Sequence, residues 1–241
     1  MNNLILTAVE AARAAGQAIM EVYSQSFEVY TKDDASPVTQ ADLRASNIIK
    51  EMLKPTGLPF ISEEDLPPDR SGFGRYWLVD PLDGTVEFVN RNGEFTVNIA
   101  LIENKRPVLG VIYAPTFDRI WTSVETPQCD VSTRPFTVLV SRSHRTPEVD
   151  AYIDKVLRPV HPDLVIDTQG SSLKFARLVE GTADVYVCYS KTKEWDTAAA
   201  DAILTAAGGK VLRISDGMPL EYDKEDYPNP PFVAWGKRDK R

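Results

Sequence analysis

The sequence predicts a protein of mixed α+β and α/β class, in which an α+β first half is followed by a half that alternates strands and helices. Three observations predict this class. Two amphipathic helical patterns open the chain, a run of alternating apolar and polar residues follows, and beyond about residue 126 short apolar runs are separated by helical segments. We therefore expect two halves, residues 1–126 and 127–241, with no internal repeat.

Helical spacing marks the first two elements. Apolar residues recur three or four positions apart from Leu4 to Ile19 and again from Ala45 to Leu53, so each helix should bury one face. An antiparallel meander is expected next, because residues 95–101 alternate between apolar and polar side chains and two further strand-like runs follow. The first half should carry its acidic loops at the rim of this meander.

The second half shows shorter, more regularly spaced elements. Strand-like runs occupy residues 136–142, 164–169, 183–189 and 210–215. Helical segments are expected near residues 148–157, 171–180 and 195–207. Strands that alternate with helices favour a sheet covered by helices.

Composition and charge limit the classes of partner and substrate that the protein can have. The formal net charge of -8 argues against a nucleic-acid polymer or a membrane surface as partner, and it permits a small nucleotide whose phosphates are met by bound metal. No apolar run approaches transmembrane length, and the amphipathic start is unlike a signal peptide. Cys129 and Cys188 are too few for a disulfide framework. We expect a cytoplasmic protein that acts on small molecules.

Two aspartates follow the apolar run Trp77–Val79 at a spacing of three residues. Pro81 and Gly84 should turn the chain around Asp80 and Asp83, so both carboxylates are expected in a tight loop at a strand end. Two like charges about 4 Å apart repel by roughly 4 kcal/mol at an effective dielectric near 20, and a hard divalent cation such as Mg²⁺ removes that cost. The alternative interpretation is a solvated Asp-Gly turn.

Two further acidic segments favour a metal site. The three acids at residues 63–65 follow the strand-like pair Phe60-Ile61, where a charge run is alternatively a solvated loop. Asp196 lies at the start of an Ala-rich helix that ends at Gly208, where an aspartate is alternatively a helix cap. One carboxylate from each segment, brought together, would form an all-oxygen cage for two or more Mg²⁺ ions.

These segments carry a resemblance to a known family. Glu63 within SEED, the DPLDGT run at residues 80–85 and the WDTAA run at residues 195–199 resemble the three signatures of the inositol monophosphatase superfamily of Mg²⁺-dependent, Li⁺-sensitive phosphatases. The segments SPVTQAD, RNGEFTVNIALIE, GVIYAP, SRSH and GSSLKF are similar to the bacterial 3'(2'),5'-bisphosphate nucleotidases within it. The similarity extends to about Pro219 and implies a layered α-β-α-β-α sandwich of the inositol monophosphatase and fructose-1,6-bisphosphatase type, with the active site between the two halves.

The resemblance implies the roles of the acidic residues. One Mg²⁺ would be held by Glu63, Asp80 and the Leu82 carbonyl. A second would be held by Asp80, Asp83 and Asp196, which leaves positions for water and a phosphate oxygen. Two or three ions are implied in all, with Asp80 bridging the pair.

Catalytic roles are implied for two further side chains. Thr85 would orient the attacking water, Asp42 would accept a hydrogen bond from Thr85, and Glu63 would help to take the proton. Asp42 is alternatively a helix-start acid that faces the macrodipole. The backbone amides of Gly84 and Thr85 would bind the phosphate.

Substrate contacts are implied for His144, Ser171 and Lys174, which would meet the nucleotide and its second phosphate. Without the resemblance, a lone histidine is read as structural and the Ser171-Ser172 pair as a helix cap.

The chain departs from the nucleotidase pattern at three places. Cys188 stands where those nucleotidases commonly carry an arginine that can fork onto phosphate, and Lys191 or Lys193 would substitute only as a point charge. Val86 stands where they usually carry lysine, and the stretch 122–135 is shorter than the usual hairpin.

We therefore expect a Mg²⁺-dependent phosphomonoesterase that converts adenosine 3',5'-bisphosphate to AMP and phosphate. An inositol or sugar phosphate phosphatase is the nearest alternative, because it would share every metal ligand. A catalytically silent, metal-binding interaction protein is an alternative of another class, which the complete acidic set disfavours. No G-x-S-x-G motif supports a serine hydrolase, and the two histidines lack zinc-ligand spacing. A homodimer is compatible with the sequence.

Overall fold

Five alternating layers, α-β-α-β-α, make up the computed structural model of the protein, which describes residues 2–31, 37–67, 69–70, 72–125 and 134–237. The helices are α1 (Asn2–Tyr23), α2 (Gln40–Leu53), α3 (Thr85–Val89), α4 (Pro147–Tyr152), α5 (Leu173–Val179) and α6 (Glu194–Ala206). The strands are β1 (Val29–Thr31), β2 (Pro37–Thr39), β3 (Phe60–Ser62), β4 (Arg75–Asp83), β5 (Thr96–Glu103), β6 (Arg106–Ala114), β7 (Arg119–Thr122), β8 (Thr137–Ser141), β9 (Val165–Gln169), β10 (Val185–Cys188), β11 (Lys210–Arg213) and β12 (Phe232–Trp235).

The first sheet has the order β3-β4-β5-β6-β7 and is covered on both faces. Because side chains alternate between the two faces of a strand, Val97, Ile99 and Leu101 of β5 pack with α1 and α2. Ala100 and Ile102 point the other way, into the core that contains α5 and α6. The first two layers are therefore the α1-α2 pair and this sheet.

The second sheet has the order β11-β12-β10-β8-β9. One face packs with α5 and α6 through residues such as Leu139 and Phe232. The other face, which includes Val140, packs with Val149 of α4 and with the π-helical turn Ile153–Leu157. Helices α5 and α6 thus form the middle layer, and α4 with its π-helical turn forms the outer one.

Helix α6 fits between the two sheets because its buried face consists of small residues. Ala198, Ala199 and Ala200 are buried where the helix lies against β5 and β6. A side chain at Gly110 of β6 would collide with the backbone oxygen of Ala199, so only glycine permits this approach. The close packing brings the first turn of α6, which carries Asp196, towards the end of β4.

The predicted fold class is confirmed, with corrections to individual elements. Strand β3 is parallel to β4, whereas the rest of the first sheet is an antiparallel meander as expected. The β1-β2 pair and strand β12 were not expected from the sequence, whereas α3 begins where a helical turn was expected. The expectation of a tight loop at Asp80 and Asp83 is wrong, because β4 continues to Asp83.

The predicted boundary between the halves, at residues 126 and 127, lies outside the described residues, as do Cys129 and most of the stretch 122–135. The division therefore stays a prediction. Within the described ranges, no helix has the length and apolar character needed to cross a membrane.

Buried Asp201 on α6 makes the stability of the fold depend on pH. It accepts hydrogen bonds from Tyr222 Oη at 2.9 Å and from Thr205 Oγ1 at 3.1 Å, and burial raises its pKa from 3.8 to about 6. The folded protein therefore keeps this proton up to about pH 6, whereas the unfolded chain releases it near pH 3.8. Protonated Asp201 makes its whole contribution to the free energy of unfolding below about pH 4. This contribution falls by about 3 kcal/mol as the pH rises past 6.

We expect Asp201→Asn to remove this loss, because asparagine keeps an oxygen acceptor for Tyr222 and has no charge to bury. The free energy of unfolding of the variant, relative to the wild type, should increase by up to about 3 kcal/mol between about pH 4 and pH 7. Urea denaturation across that pH range measures it. A wild-type minus variant difference that is constant with pH contradicts the assignment.

Candidate active site

A cavity of about 470 Å³ opens between the two sheets and collects most of the sequence-predicted residues. Its acidic side is lined by Glu63, Asp80, Leu82, Asp83, Gly84, Thr85, Glu87 and Asp196. The lining also includes His144, Ser171, Lys174, Tyr186, Lys191 and Phe232. Three acidic segments that lie far apart in sequence therefore face one space, as predicted.

A β-bulge places Asp80 and Asp83 on the same side of β4. Residues three apart in a regular strand face opposite ways. Asp80 is paired with Asn98 and Asp83 with Thr96, so β4 contains one residue more than β5 over this interval. Pro81 has no N–H to donate to the ladder, which is consistent with the irregularity there. Both carboxylates consequently line the cavity.

Ser172 and Asn98 hold Asp83 in position. Asp83 Oδ2 accepts hydrogen bonds from the Ser172 backbone N and Oγ, both at 2.6 Å, and from Asn98 Nδ2 at 3.1 Å. Sequence analysis missed both of these roles. Asn98 had a signal, since it is an amide at a buried position of an otherwise apolar strand and must find hydrogen-bond partners. Ser172 does occupy the cap position of α5, but its hydroxyl donates to Asp83.

Asp42 lies behind Thr85 and outside the cavity lining. It is the third residue of α2, and its Oδ2 accepts from both Thr39 N and Thr39 Oγ1 at 2.8 Å. Its Oδ1 accepts from Thr85 Oγ1 at 3.2 Å. Burial raises the pKa of Asp42, and the nearby negative charge of Glu63 adds to this. Both interpretations of Asp42, as a helix-start acid and as the partner of Thr85, therefore hold.

Asp196 occupies the matching position in α6. It is the third residue of that helix, and its Oδ2 accepts from Lys193 N at 2.8 Å. Lys193 is the cap residue, so the expected alternative of Asp196 as the cap is wrong by three positions. Burial raises the pKa of Asp196 well above its usual range, and the charges of Asp83 and Glu63 raise it further.

A buried ion pair ties Arg70 to the helix of Asp196. Arg70 NH1 lies 2.7 Å from Oε2 of Glu194, which is fully buried in the first turn of α6. The Arg70 guanidinium also lies 4.1 Å from the centre of the Tyr227 ring. Lys224 Nζ also lies 3.0 Å from Glu194, so two cations compensate this buried carboxylate and tie Arg70 to the first turn of α6.

Lys174 and Ser171 line the same cavity, and the charges of Asp83, Glu87 and Asp196 act on Lys174. Lys174 Nζ donates to the Ser171 carbonyl at 2.7 Å and lies 5.1 Å from the centre of the Tyr186 ring. Burial lowers the pKa of Lys174. Ser171 has φ 47°, in the left-handed region, which is uncommon for a residue other than glycine. His144 lines the cavity as well.

The residues that depart from the nucleotidase pattern differ in whether they face the cavity. Cys188 is 2% exposed, lies 3.4 Å from Ser190 Oγ, and is not part of the cavity lining. Lys191 lines the cavity, whereas Lys193 Nζ reaches the Asp226 carbonyl at 3.3 Å. Of the two lysines considered as substitutes for the arginine, Lys191 is therefore the one that faces the cavity. Val86 lines the cavity as well.

The donor set fits Mg²⁺. Carboxylates at positions 63, 80, 83 and 196 and the Leu82 carbonyl offer oxygen only, which suits a hard cation. Burial and then the charges of Asp83 and Glu63 raise the pKa of Asp196, and a divalent cation would offset the repulsion among these carboxylates. In the described part of the chain, no three acidic, histidine or cysteine side chains are already gathered closely enough to hold a metal ion. The carboxylates thus line the cavity without forming a closed cage.

Comparison with known proteins gives consistent matches over the whole chain. The model of the inositol monophosphatase family matches residues 1–237. The 3'(2'),5'-bisphosphate nucleotidase CysQ of Escherichia coli K12 is 43% identical over 240 residues, which cover 92% of this chain and 95% of that protein. The CysQ nucleotidase of Salmonella typhimurium is 44% identical over 239 residues, with the same coverage.

Solved structures of the inositol monophosphatase family superpose on the protein. The crystal structure of CysQ from Bacteroides thetaiotaomicron, a bacterial member of the inositol monophosphatase family, superposes with a TM-score of 0.88 at 38% identity and covers 99% of this chain and 98% of that one. An inositol monophosphatase from Thermotoga maritima superposes with a TM-score of 0.78 at 22% identity, covering 98% and 93% of the two chains, and supports the fold alone.

The proposed metal ligands can be tested without any reaction. We expect Mg²⁺ to raise the melting temperature of the wild type, because a cation that binds only the folded state stabilises it by about 2.7 kcal/mol at 100 times its Kd. Asp83→Asn should lose most of this increase. Asp65→Asn is the matched control, since Asp65 belongs to the same acidic run as Glu63 but pairs with Lys50 and lies outside the cavity lining. Equal Mg²⁺ responses in both variants, measured by thermal shift, would refute the ligand role of Asp83.

Proposed function

The chain belongs to the inositol monophosphatase family, and on this premise we propose that it is a Mg²⁺-dependent phosphatase that hydrolyses adenosine 3',5'-bisphosphate to AMP and phosphate. The observation that carries the proposal is the charge distribution of the cavity. Carboxylates from three segments line the cavity, and Lys174 and Lys191 line it as well. A substrate that presents one phosphate to bound cations and a second anionic group to the lysines matches this arrangement.

The metal end comprises Glu63, Asp80, Asp83, Asp196 and the Leu82 carbonyl, which would hold two or three Mg²⁺ ions. Bound there, Mg²⁺ supplies a Lewis acid that polarises a phosphoryl oxygen and makes water more acidic. The hydrogen bonds on Asp83 from Ser172, Asn98 and Thr96 all reach Oδ2. Oδ1 would therefore be the oxygen of Asp83 available to a cation.

Thr85 would position the attacking water. Both neighbours of its hydroxyl, Asp42 Oδ1 and the Leu82 carbonyl at 3.2 Å each, are acceptors, so the hydroxyl proton is committed to one of them. Only the lone pairs of Thr85 Oγ1 then remain, and they accept a hydrogen bond from water. That contact leaves a lone pair of the water free to point at phosphorus. Glu63, which lines the same cavity, would take the released proton.

The phosphate and the rest of the substrate would be held by neighbouring groups. The backbone amides of Gly84 and Thr85 lie where α3 begins, and Gly84 has φ 90°, which glycine adopts without strain. They would bind the phosphate to be cleaved. His144, Ser171 and Lys174 would contact the nucleotide, and Lys191 would meet its second phosphate.

A second candidate, an inositol or sugar phosphate phosphatase, is favoured by one observation. Among the described residues that line the cavity there is no arginine, so no two-pronged phosphate contact is available beyond the metal end. Such an enzyme would use the same acidic side of the cavity. The two candidates differ only in the part of the substrate that binds near Lys174 and Lys191.

A phosphate-release panel separates the candidates. With Mg²⁺ present, we expect kcat/KM for adenosine 3',5'-bisphosphate to exceed those for its 2',5' isomer, inositol 1-phosphate and fructose 1,6-bisphosphate. Li⁺ should inhibit at concentrations where Na⁺ does not, because a carboxylate site favours small hard cations. Asp83→Asn is the control for contaminating phosphatases and should be inactive, since uncatalysed monoester hydrolysis is extremely slow. Preference for inositol 1-phosphate by tenfold or more would make the nucleotidase proposal wrong.

Lys191 can be tested against its neighbour. Lys191→Met should raise KM for adenosine 3',5'-bisphosphate by about tenfold, because a charged contact to the second phosphate is lost. The inhibition constant of inorganic phosphate, which needs only the metal end, should stay the same. Lys193→Met is the matched control and should leave both constants near wild type, since Lys193 reaches the Asp226 carbonyl outside the cavity lining. A similar KM in both variants would exclude Lys191 as the anchor.

A further inference from the structure

Two carboxylates next to the metal end have no role in the chemistry proposed above, yet both are engaged by the second half of the chain. Glu87, on α3, is 4% exposed, and its Oε1 accepts a hydrogen bond from Ser143 Oγ at 2.7 Å. Glu94 accepts from Arg142 Nε at 2.7 Å and Arg142 NH2 at 2.6 Å. It also accepts from Gly170 N at 2.7 Å.

The backbone at Gly170 is packed between these two carboxylates. A Cβ atom at position 170 would lie 2.6 Å from Glu87 Cγ and 3.0 Å from Glu94 Oε2. Only glycine fits there without displacing one of them. A Cβ at Gly84, in the phosphate-binding turn, would likewise lie 3.1 Å from Ser171 Cβ. The metal-end turn and the turn at residues 170–172 are therefore in direct contact.

The partners of the two carboxylates are the neighbours of the substrate-binding residues. Ser143 and Arg142 precede His144, and Gly170 precedes Ser171. We propose that Glu87 and Glu94 form a latch that positions these two segments, residues 141–144 and 170–172, against the metal end. We define the latch as Glu87, Glu94, Arg142, Ser143 and Gly170. Its members are positioning residues, since they act through His144 and Ser171.

The latch sets the distance between the metal end and the substrate-binding residues His144 and Ser171. Carboxylates that accept hydrogen bonds from serine hydroxyls, arginine and backbone amides make stronger contacts than neutral acceptors do. A substrate that spans both ends needs the correct separation, whereas inorganic phosphate occupies only the metal end. The latch therefore determines specificity for substrates of nucleotide length. This inference rests on the proposed nucleotidase function.

Ser143→Ala tests the latch, because Ser143 lies outside the cavity lining and its hydroxyl reaches the cavity only through Glu87. We expect KM for adenosine 3',5'-bisphosphate to rise about five- to tenfold, as for the loss of a hydrogen bond to a charged group. The inhibition constant of inorganic phosphate should change less than twofold. Ser24→Ala, which removes an exposed serine hydroxyl that donates to the Glu21 carbonyl, is the matched control and should change neither value.

Two variants of Glu87 separate positioning from charge. Glu87→Gln keeps an oxygen acceptor for Ser143, so the ratio of the nucleotide KM to the phosphate inhibition constant should stay within about twofold of wild type. Glu87→Ala should raise that ratio as Ser143→Ala does. If glutamine and alanine raise the ratio equally, or if Ser143→Ala weakens nucleotide and phosphate in parallel, the latch proposal is overturned.

Hydrogen exchange keeps this test separate from that of the proposed function. Backbone amides of residues 141–146 should exchange faster in Ser143→Ala than in wild type, whatever the substrate. If wild type fails to hydrolyse adenosine 3',5'-bisphosphate, the nucleotidase proposal falls and the latch is judged by exchange alone. Unchanged exchange in this segment overturns the latch.

Discussion

The repulsion between acidic side chains that share one cavity is the constraint on which the rest of the structure depends. Five carboxylates line the same cavity, and burial together with the charges of Asp83 and Glu63 raises the pKa of Asp196. Each acid must therefore be held by protein groups before any cation binds. The surrounding hydrogen bonds, from Ser172 and Asn98 to Asp83 and from Lys193 to Asp196, supply that hold.

Two helices of the fold hold an aspartate of the site in the same way. Asp42 in α2 and Asp196 in α6 are both third residues of their helices, and each accepts the backbone N–H of the cap residue. A carboxylate at this position satisfies an otherwise unpaired donor and faces the positive end of the helix. One carboxylate oxygen therefore accepts a hydrogen bond from the start of the helix. The other is directed away from it, towards Thr85 in the case of Asp42.

Much of the fold followed from local patterns in the sequence. The spacing of apolar residues predicted α1 and α2 because one face of each helix is buried. Strand β12 was not predicted, and its position between β10 and β11 is set by pairing with distant strands. The site was predicted as a set of acids. The hydrogen bonds of Asn98 and Ser172 to Asp83 were missed, because they join distant segments, although the amide of Asn98 within a mostly apolar strand was a signal.

The sequence by itself determined the residue types of the site, its oxygen-only donor set and the layered class of fold, because these depend on composition, spacing and motif. Only the tertiary structure decided which groups meet. The bulge that turns Asp80 and Asp83 to one side depends on the register of β4 against β5. The choice of Lys191 over Lys193 depends on the direction in which each side chain leaves the chain. Such relations arise from packing between segments far apart in sequence, which no local pattern encodes.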